Sequence, residues 1–274
     1  MSPWKLIFKN LLFFRRQNTG IILAATLCGI VLTGSLTVGD SVRSTLRTLA
    51  EVRIGEGDLA MLSPDGFFRE DLAERMKEEL PDEESVIAPI VLSRGMLTSP
   101  DGATRVSNIQ VLGVDPRFWK LAPDSKLAPT GSESVEKGFS HWGTETFFVN
   151  ERLGKRLKSE TGKRLILRME EPSLFSRDAP LSGERDSKFV SMNKKFGGII
   201  PPGGFGNFGL LGNQREPLTL FVSLSELQKK LFRSLDEATQ STNFANFLLL
   251  GIPGDKEIDL EKAKVAMDKC WTLE

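Results

Sequence analysis

The sequence predicts an α+β protein in two parts: a membrane-crossing helix prolonged as a stalk, then a mixed α/β domain of short strands and helices. Three observations predict it. Residues 17–39, QNTGIILAATLCGIVLTGSLTVG, carry no charge; at ~1.5 Å per helical residue they can cross the ~30 Å hydrocarbon layer, where a lone segment satisfies its backbone only as a helix. Residues 40–54 keep apolar side chains (Val42, Leu46, Leu49, Val52) at three- and four-residue spacing. From Ser85 onward, apolar stretches separated by Gly, Pro and Asp turns take over, as strands require.

Residues 2–16, SPWKLIFKNLLFFRR, read as an amphipathic helix: Trp4, Ile7, Phe8, Leu11 and Leu12 recur at helical spacing, and Lys5 and Lys9 share another face. Either an elbow along the cytoplasmic leaflet or a simple positive flank fits that pattern. A cleaved signal peptide would need a shorter apolar core and a small-x-small site; a lipoprotein signal would need a small residue where Leu27 precedes Cys28. An uncleaved span fits better. Its Gly29, Thr33 and Gly34 would suit close packing against another helix, although a plain anchor needs only length. Lys5, Lys9, Arg15 and Arg16 precede the span with no acidic residue before Asp40. Positive charge stays inside, so the N-terminus is expected in the cytoplasm and the residues after Asp40 outside. Cys28 would lie in the membrane and Cys270 outside, two built-in reporters of topology.

Gly55 and Gly57 end the stalk, a short strand follows at Asp58–Ser63, and Phe68, Leu72, Met76 and Leu80 mark an i+4 helix stopped by Pro81. Asp101-Gly102 supplies a hairpin turn between the strands of Ser85–Val114, after which VDPRFWKLAP breaks the pairing and leads into a Ser-, Pro- and Gly-rich loop at Pro123–Gly143. FFVNERLGKRLKSETGKRLILRM reads strand, helix, turn, strand, with Asn150 as N-cap and Gly162 at the turn. A strand is expected at Lys188–Ile200, then an exposed loop in IIPPGGFGNFG. Leu218–Val222 is a strand leading into a helix opened by a Ser223/Glu226 capping box. ANFLLLGI is a buried strand and DLEKAKVAMDKCWTLE a last helix. No strand follows to complete that βα unit, which reads as a domain cut short at its C-terminus.

Four of the 36 basic residues lie in the first sixteen, so the remainder, facing 36 acidic residues, is slightly acidic. Nothing there attracts nucleic acid. His141 is the only histidine and stands in a Ser/Gly loop without Cys, Asp or Glu at ligand spacing, so no metal is expected. The glycine run lacks the Lys-Ser/Thr of a phosphate-binding loop. With no nucleophile-and-base arrangement, no catalytic residue, no cofactor and no enzymatic activity are expected.

The opening KLIFKNLLFFRRQNTGIILAATLCGIVLTGSLTVGDSVRSTL, then VLGVDPRFWKL, FVNERLGKRLKSETGKRLILRM and PLTLFVSLSELQKKL, resemble in order and spacing the FtsX-like ABC-transporter permeases with a MacB-like periplasmic core domain. The match is looser between Glu170 and Pro217. The resemblance implies residues 1–16 as a cytoplasmic elbow, 17–39 as the first span and 40–274 as the start of a two-lobed extracytoplasmic core. One lobe would be built from discontinuous pieces, with boundaries placed around Pro123–Gly143 or Glu170–Pro217. It also implies a non-catalytic permease subunit in the inner membrane, with a separate ABC ATPase, a permease homodimer or heterodimer, the lipid bilayer and a periplasmic partner or lipoprotein as partners. The family has four spans per unit, so this sequence would be its N-terminal portion. The alternative is a single-span anchored module that binds or senses a partner outside the cell.

Overall fold

Backbone pairing in the computed structural model follows the hydrophobic pattern closely. The structure describes residues 3–63, 66–80, 84–102, 104–129, 145–157, 161–170, 189–210, 216–232, 243–254 and 258–271. His141 and most of the two long loops lie outside them. The chain divides into two units, Met1–Leu49 and Ala50–Glu274.

The first unit is helical. Helix α1 (Pro3–Phe13) and helix α2 (Arg15–Ile54) are separated only by Phe14, and the i→i−4 ladder crosses the join through Phe14 N–H to Asn10 O and Asn18 N–H to Phe14 O. The elbow therefore has no loop of its own. The last turn of α2 belongs to the second unit.

In the second unit the strands are β1 (Leu59–Leu62), β2 (Phe68–Arg69), β3 (Val86–Thr98), β4 (Arg105–Val114), β5 (Thr146–Asn150), β6 (Arg164–Glu170), β7 (Phe189–Ile200), β8 (Thr219–Ser223), β9 (Phe244–Ala245) and β10 (Phe247–Gly251). The helices are α3 (Leu72–Glu79), α4 (Pro116–Lys120), α5 (Glu151–Leu157), α6 (Leu224–Leu231) and α7 (Leu260–Cys270). Strands β3, β4, β8, β5, β7 and β6 pair in turn, and β6 pairs back onto β3, which closes a ring. The β4–β8 and β5–β7 pairings are parallel and the rest antiparallel. Alternation sets its lining: Leu165, Leu167 and Met169 of β6 face inward with Val149, Val111 and Leu220, while Leu153 of α5 and Leu227 of α6 join the same core. Gly113 admits α6 closely, since a Cβ there would sit 2.5 Å from Leu227.

Two further cores adjoin this ring. Phe118, Trp119, Phe205, Phe208, Phe221 and Phe247 form an aromatic cluster beside α4, with ring centroids 4.7 Å apart for Phe118–Phe205 and 5.1 Å for Phe118–Phe208. The third core lies where the order β1-β10-β3 meets α3 and α7: Leu72, Met76, Leu248, Leu250, Ala263 and Ala266. Pieces from both ends of the unit thus share one core.

The change of core falls within β3. Val86–Ile90 pair with β10 and Gly95–Thr98 with β6. Asn246 bridges the gap: its side-chain oxygen accepts from Leu92 N–H at 2.7 Å and its amide donates to Leu92 O at 2.8 Å, imitating a ladder rung.

Several local expectations are met. Asn150 caps α5, accepting from Leu153 N–H at 3.0 Å, and Gly102 and Gly162 take the positive φ of their turns. Four are corrected. Phe68 belongs to a strand, because pairing of Phe68–Arg69 with Phe244–Ala245 overrides its i+4 spacing with Leu72. VDPRFWK forms α4, opened by Asp115, whose carboxylate accepts from Arg117 N–H at 2.8 Å and Phe118 N–H at 3.4 Å. No capping box forms at Ser223, since Glu226 instead meets Lys194 at 3.0 Å, a stronger charge-assisted bond. The glycine run is no exposed loop: Phe205 and Phe208 are buried, and Gly204 and Gly206 lie too close to backbone for any Cβ.

Candidate functional site

Helix α2 is the feature with the clearest functional chemistry. Its 40 residues span ~60 Å at the α-helical rise, about twice a hydrocarbon core. It is long and apolar enough to cross a membrane by length and composition, and none of its apolar stretch is buried within the protein. Ile21, Leu27, Val31 and Leu36 are all more than 60 % exposed. Every apolar residue between Ile21 and Val38 faces outward.

Lys5 and Lys9 stand one turn apart on α1, both exposed, and Arg15 and Arg16 open α2. Gly29 and Gly34 have open space around them, with no atom within 4 Å of an added Cβ. Gly29 and Thr33 are one turn apart and share a face; Gly34, five residues from Gly29, faces elsewhere. The hydroxyls of Thr19, Thr26, Thr33 and Thr37 each bond the carbonyl four residues back. These hydroxyls are thereby satisfied inside the helix, which removes the main polar reason for that helix to seek a partner. What Gly29 offers is close approach.

In the second unit, the end of α2 is built into the core. Arg53 is buried and Ile54 packs against the aromatic cluster. Gly55 ends the helix at φ +61°, and a Cβ there would lie 2.7 Å from both Leu121 O and the Phe205 ring. Glu56 N–H donates to Leu121 O at 2.9 Å and Asp58 N–H to Leu250 O at 2.9 Å. The Glu56 and Asp58 carboxylates accept from Gly254 N–H at 3.0 Å and Ile258 N–H at 3.2 Å. Gly251 permits this crossing, since a Cβ on it would come within 1.9 Å of Glu56 O. The root of the helix thus bonds to the chain after α4, to β10 and to the approach to α7. The sequence flagged Gly55 and Gly57 only as helix stops; the partners Leu121, Phe205 and Gly251 carry no local signal.

Charged side chains elsewhere make structural ties. Arg117 meets Asp115 at 2.6 Å and Glu70 at 3.6 Å, and Gln228 donates to Glu70 at 2.9 Å, linking α4, α6 and the start of α3. The Lys194 hydrogen bond holds the Glu226 carboxyl below its ordinary pKa, against the opposing effect of burial. Among the described residues, no group of three or more His, Cys, Asp or Glu could hold a metal ion. Cys270 is buried, and burial raises its thiol pKa, with the nearby Glu79 charge adding to the rise. That makes it a poor reporter for thiol reagents.

No protein-family model matches the chain, and no curated protein matches it. Among solved structures, it is similar to the extracellular domain of the noncanonic ABC-type transporter YknZ from Gram-positive bacteria. That likeness has 8 % identity and a TM-score of 0.32, and covers 76 % of this chain and 86 % of that one. It is also similar to the periplasmic region of MacB from Actinobacillus actinomycetemcomitans, at 10 % identity and a TM-score of 0.38, over 74 % of this chain and 72 % of that one.

Proposed function

We propose that this chain is part of the membrane-spanning, non-catalytic subunit of an ABC transporter of the MacB or lipoprotein-release type. In this reading a separate ATPase drives movement of the extracytoplasmic domain for export or for handling of lipids or lipoproteins. The observation that carries it is the unbroken helix α2, which runs from an uncharged, lipid-length stretch to a last turn built into the globular core. The order of the four sequence segments named above supports the same reading.

Orientation is the first test. With Cys28 and Cys270 replaced by Ser, the exposed Lys120 changed to Cys should react with a membrane-impermeant maleimide once the outer envelope is opened. Labelling only after the inner membrane is broken would overturn the extracytoplasmic assignment. Replacing Lys5, Lys9, Arg15 and Arg16 with Glu should weaken or invert the pattern. Purification from native membranes should then bring down an ATP-hydrolysing subunit in nucleotide-dependent amounts; a chain isolated without one would favour the anchored module.

A further inference from the structure

Outside the ring, the strands β4, β3, β6 and β7 present a face that, among the described residues, neither helices nor the aromatic cluster account for. Alternation fixes its members: inward residues Leu165, Leu167 and Met169 leave Arg164, Ile166 and Arg168 outward on β6. Register then brings Arg168 opposite Met96, and Ile166 opposite Thr98. Arg105 lies opposite Thr98 on the other side, with its Nε on the Met96 sulfur, and Arg94 follows on β3. On β7, Lys195 stands directly opposite Arg164. Arg94, Arg105, Arg164, Arg168 and Lys195 are all exposed.

Two features set this face apart from an ordinary solvated surface. The first is charge: outside its N-terminal helix the protein is slightly acidic, yet five cations gather here. Among the described residues, no carboxylate lies within ion-pair distance of Arg94, Arg164 or Arg168. Two carboxylates border the face: the exposed Glu145 meets Lys195 at 3.6 Å, and Glu170 stands two residues beyond Arg168 on the same side of β6. The second is the cross-strand pair Arg164–Lys195, since like charges directly opposite destabilise a sheet. A face that keeps such a pair is better matched by an anion than by water.

We infer that this face binds an acidic, extended segment of a partner protein. Spacing decides between that and a diffuse anion. Arg164 and Arg168 lie four residues apart on one strand, ~13 Å, with Ile166 between them. An extended chain reading acidic-x-apolar-x-acidic repeats every ~6.6 Å, and so sets two carboxylates on the two guanidinium groups and an apolar side chain on Ile166. Phe189, 67 % exposed beside Glu170, extends the apolar line. A lipid headgroup layer would need apolar side chains that protrude, whereas Met96 and Ile166 are half-buried between the arginines.

The test uses the full chain in zwitterionic nanodiscs and a fluorescent twelve-residue peptide containing Glu-x-Leu-x-Glu, read by anisotropy. Binding should weaken at least tenfold in the Arg164→Glu/Arg168→Glu double variant, and fall steeply with added salt. A control pair on α7, Lys262→Glu/Lys264→Glu, should bind as the parent does. Arg164→Glu removes the like-charged pair, so its melting temperature should equal or exceed the parent's, which separates lost binding from lost folding. Equal binding by the double variant, or equal binding of a scrambled peptide of the same composition, overturns the inference. Capture of the protein by anionic vesicles without peptide binding overturns it too, in favour of a lipid surface.

Discussion

The glycines of helix α2 and those at its root are the same residue used for opposite reasons. Around Gly20, Gly29, Gly34 and Gly39 there is nothing within 4 Å of an added Cβ. Around Gly55 and Gly251 the nearest atoms, among them Leu121 O and Glu56 O, lie between 1.9 and 2.7 Å. In the first region glycine leaves a surface bare; in the second it lets backbones cross. A glycine's meaning is therefore set by what surrounds it, and the sequence alone gives both sets the same letter.

The sharpest break of that contrast is Gly251→Ala. Its Cβ would strike a backbone oxygen, which cannot swing aside as a side chain can, so the loss should reach ~4 kcal/mol or more, a large share of typical domain stability. Thermal or urea unfolding of the globular unit, followed by tryptophan fluorescence, measures it. A drop under ~1 kcal/mol would mean the root relaxes freely.

Acid should separate the two regions more gently. The lowered pKa of Glu226 means that its ion pair with Lys194 stabilises fully above the ordinary carboxylate value of 4.5, and that this contribution is lost as pH falls through the folded value. Stability of the globular unit should therefore decline below about pH 4.5, while the helical signal of α2, held by its own backbone ladder, persists. Glu226→Gln should cost ~1–2 kcal/mol at neutral pH and flatten the curve in that window. An unchanged acid profile in the variant would assign the decline to other carboxylates.

The smallest effect belongs to Gly29→Ala with Gly34→Ala. Stability of the globular unit should stay within ~0.5 kcal/mol of the parent. Only self-association of the membrane helix, read by energy transfer in bilayers, has reason to change, and it should follow Gly29, whose face includes Thr33, more than Gly34. Equal sensitivity at both positions would contradict a single packing face.

Local chemistry made the strands and most helices readable. Alternation in RLILRM, the Asp101-Gly102 turn, Asn150 before a helix and the uncharged 17–39 stretch each announce their element without help from distant residues. The errors share a cause in tertiary partners. Phe68 joined a strand because Phe244 and Ala245 lie beside it; Glu226 left its cap because Lys194 lies on a neighbouring strand; GGFGNFG is buried because α4 supplies Phe118 and Trp119 to pack against. The root of α2 was half legible, since a glycine after a helix is a local signal but Leu121 and Gly251 are not. The basic face needed register across four strands, which no single segment contains.

The Asn246 bridge has a consequence in time. It joins residues 154 positions apart, and β10 beside it is the middle strand of the order β1-β10-β3. At ribosomal rates of ~5–20 residues per second, β3 waits ~8–30 s for that neighbour to be made. Until then β1 has no strand to pair with, and the edge of β3 that takes β10 stands open. Holding that edge apart from other nascent chains is a task for the cell's folding machinery before it is one for the finished domain.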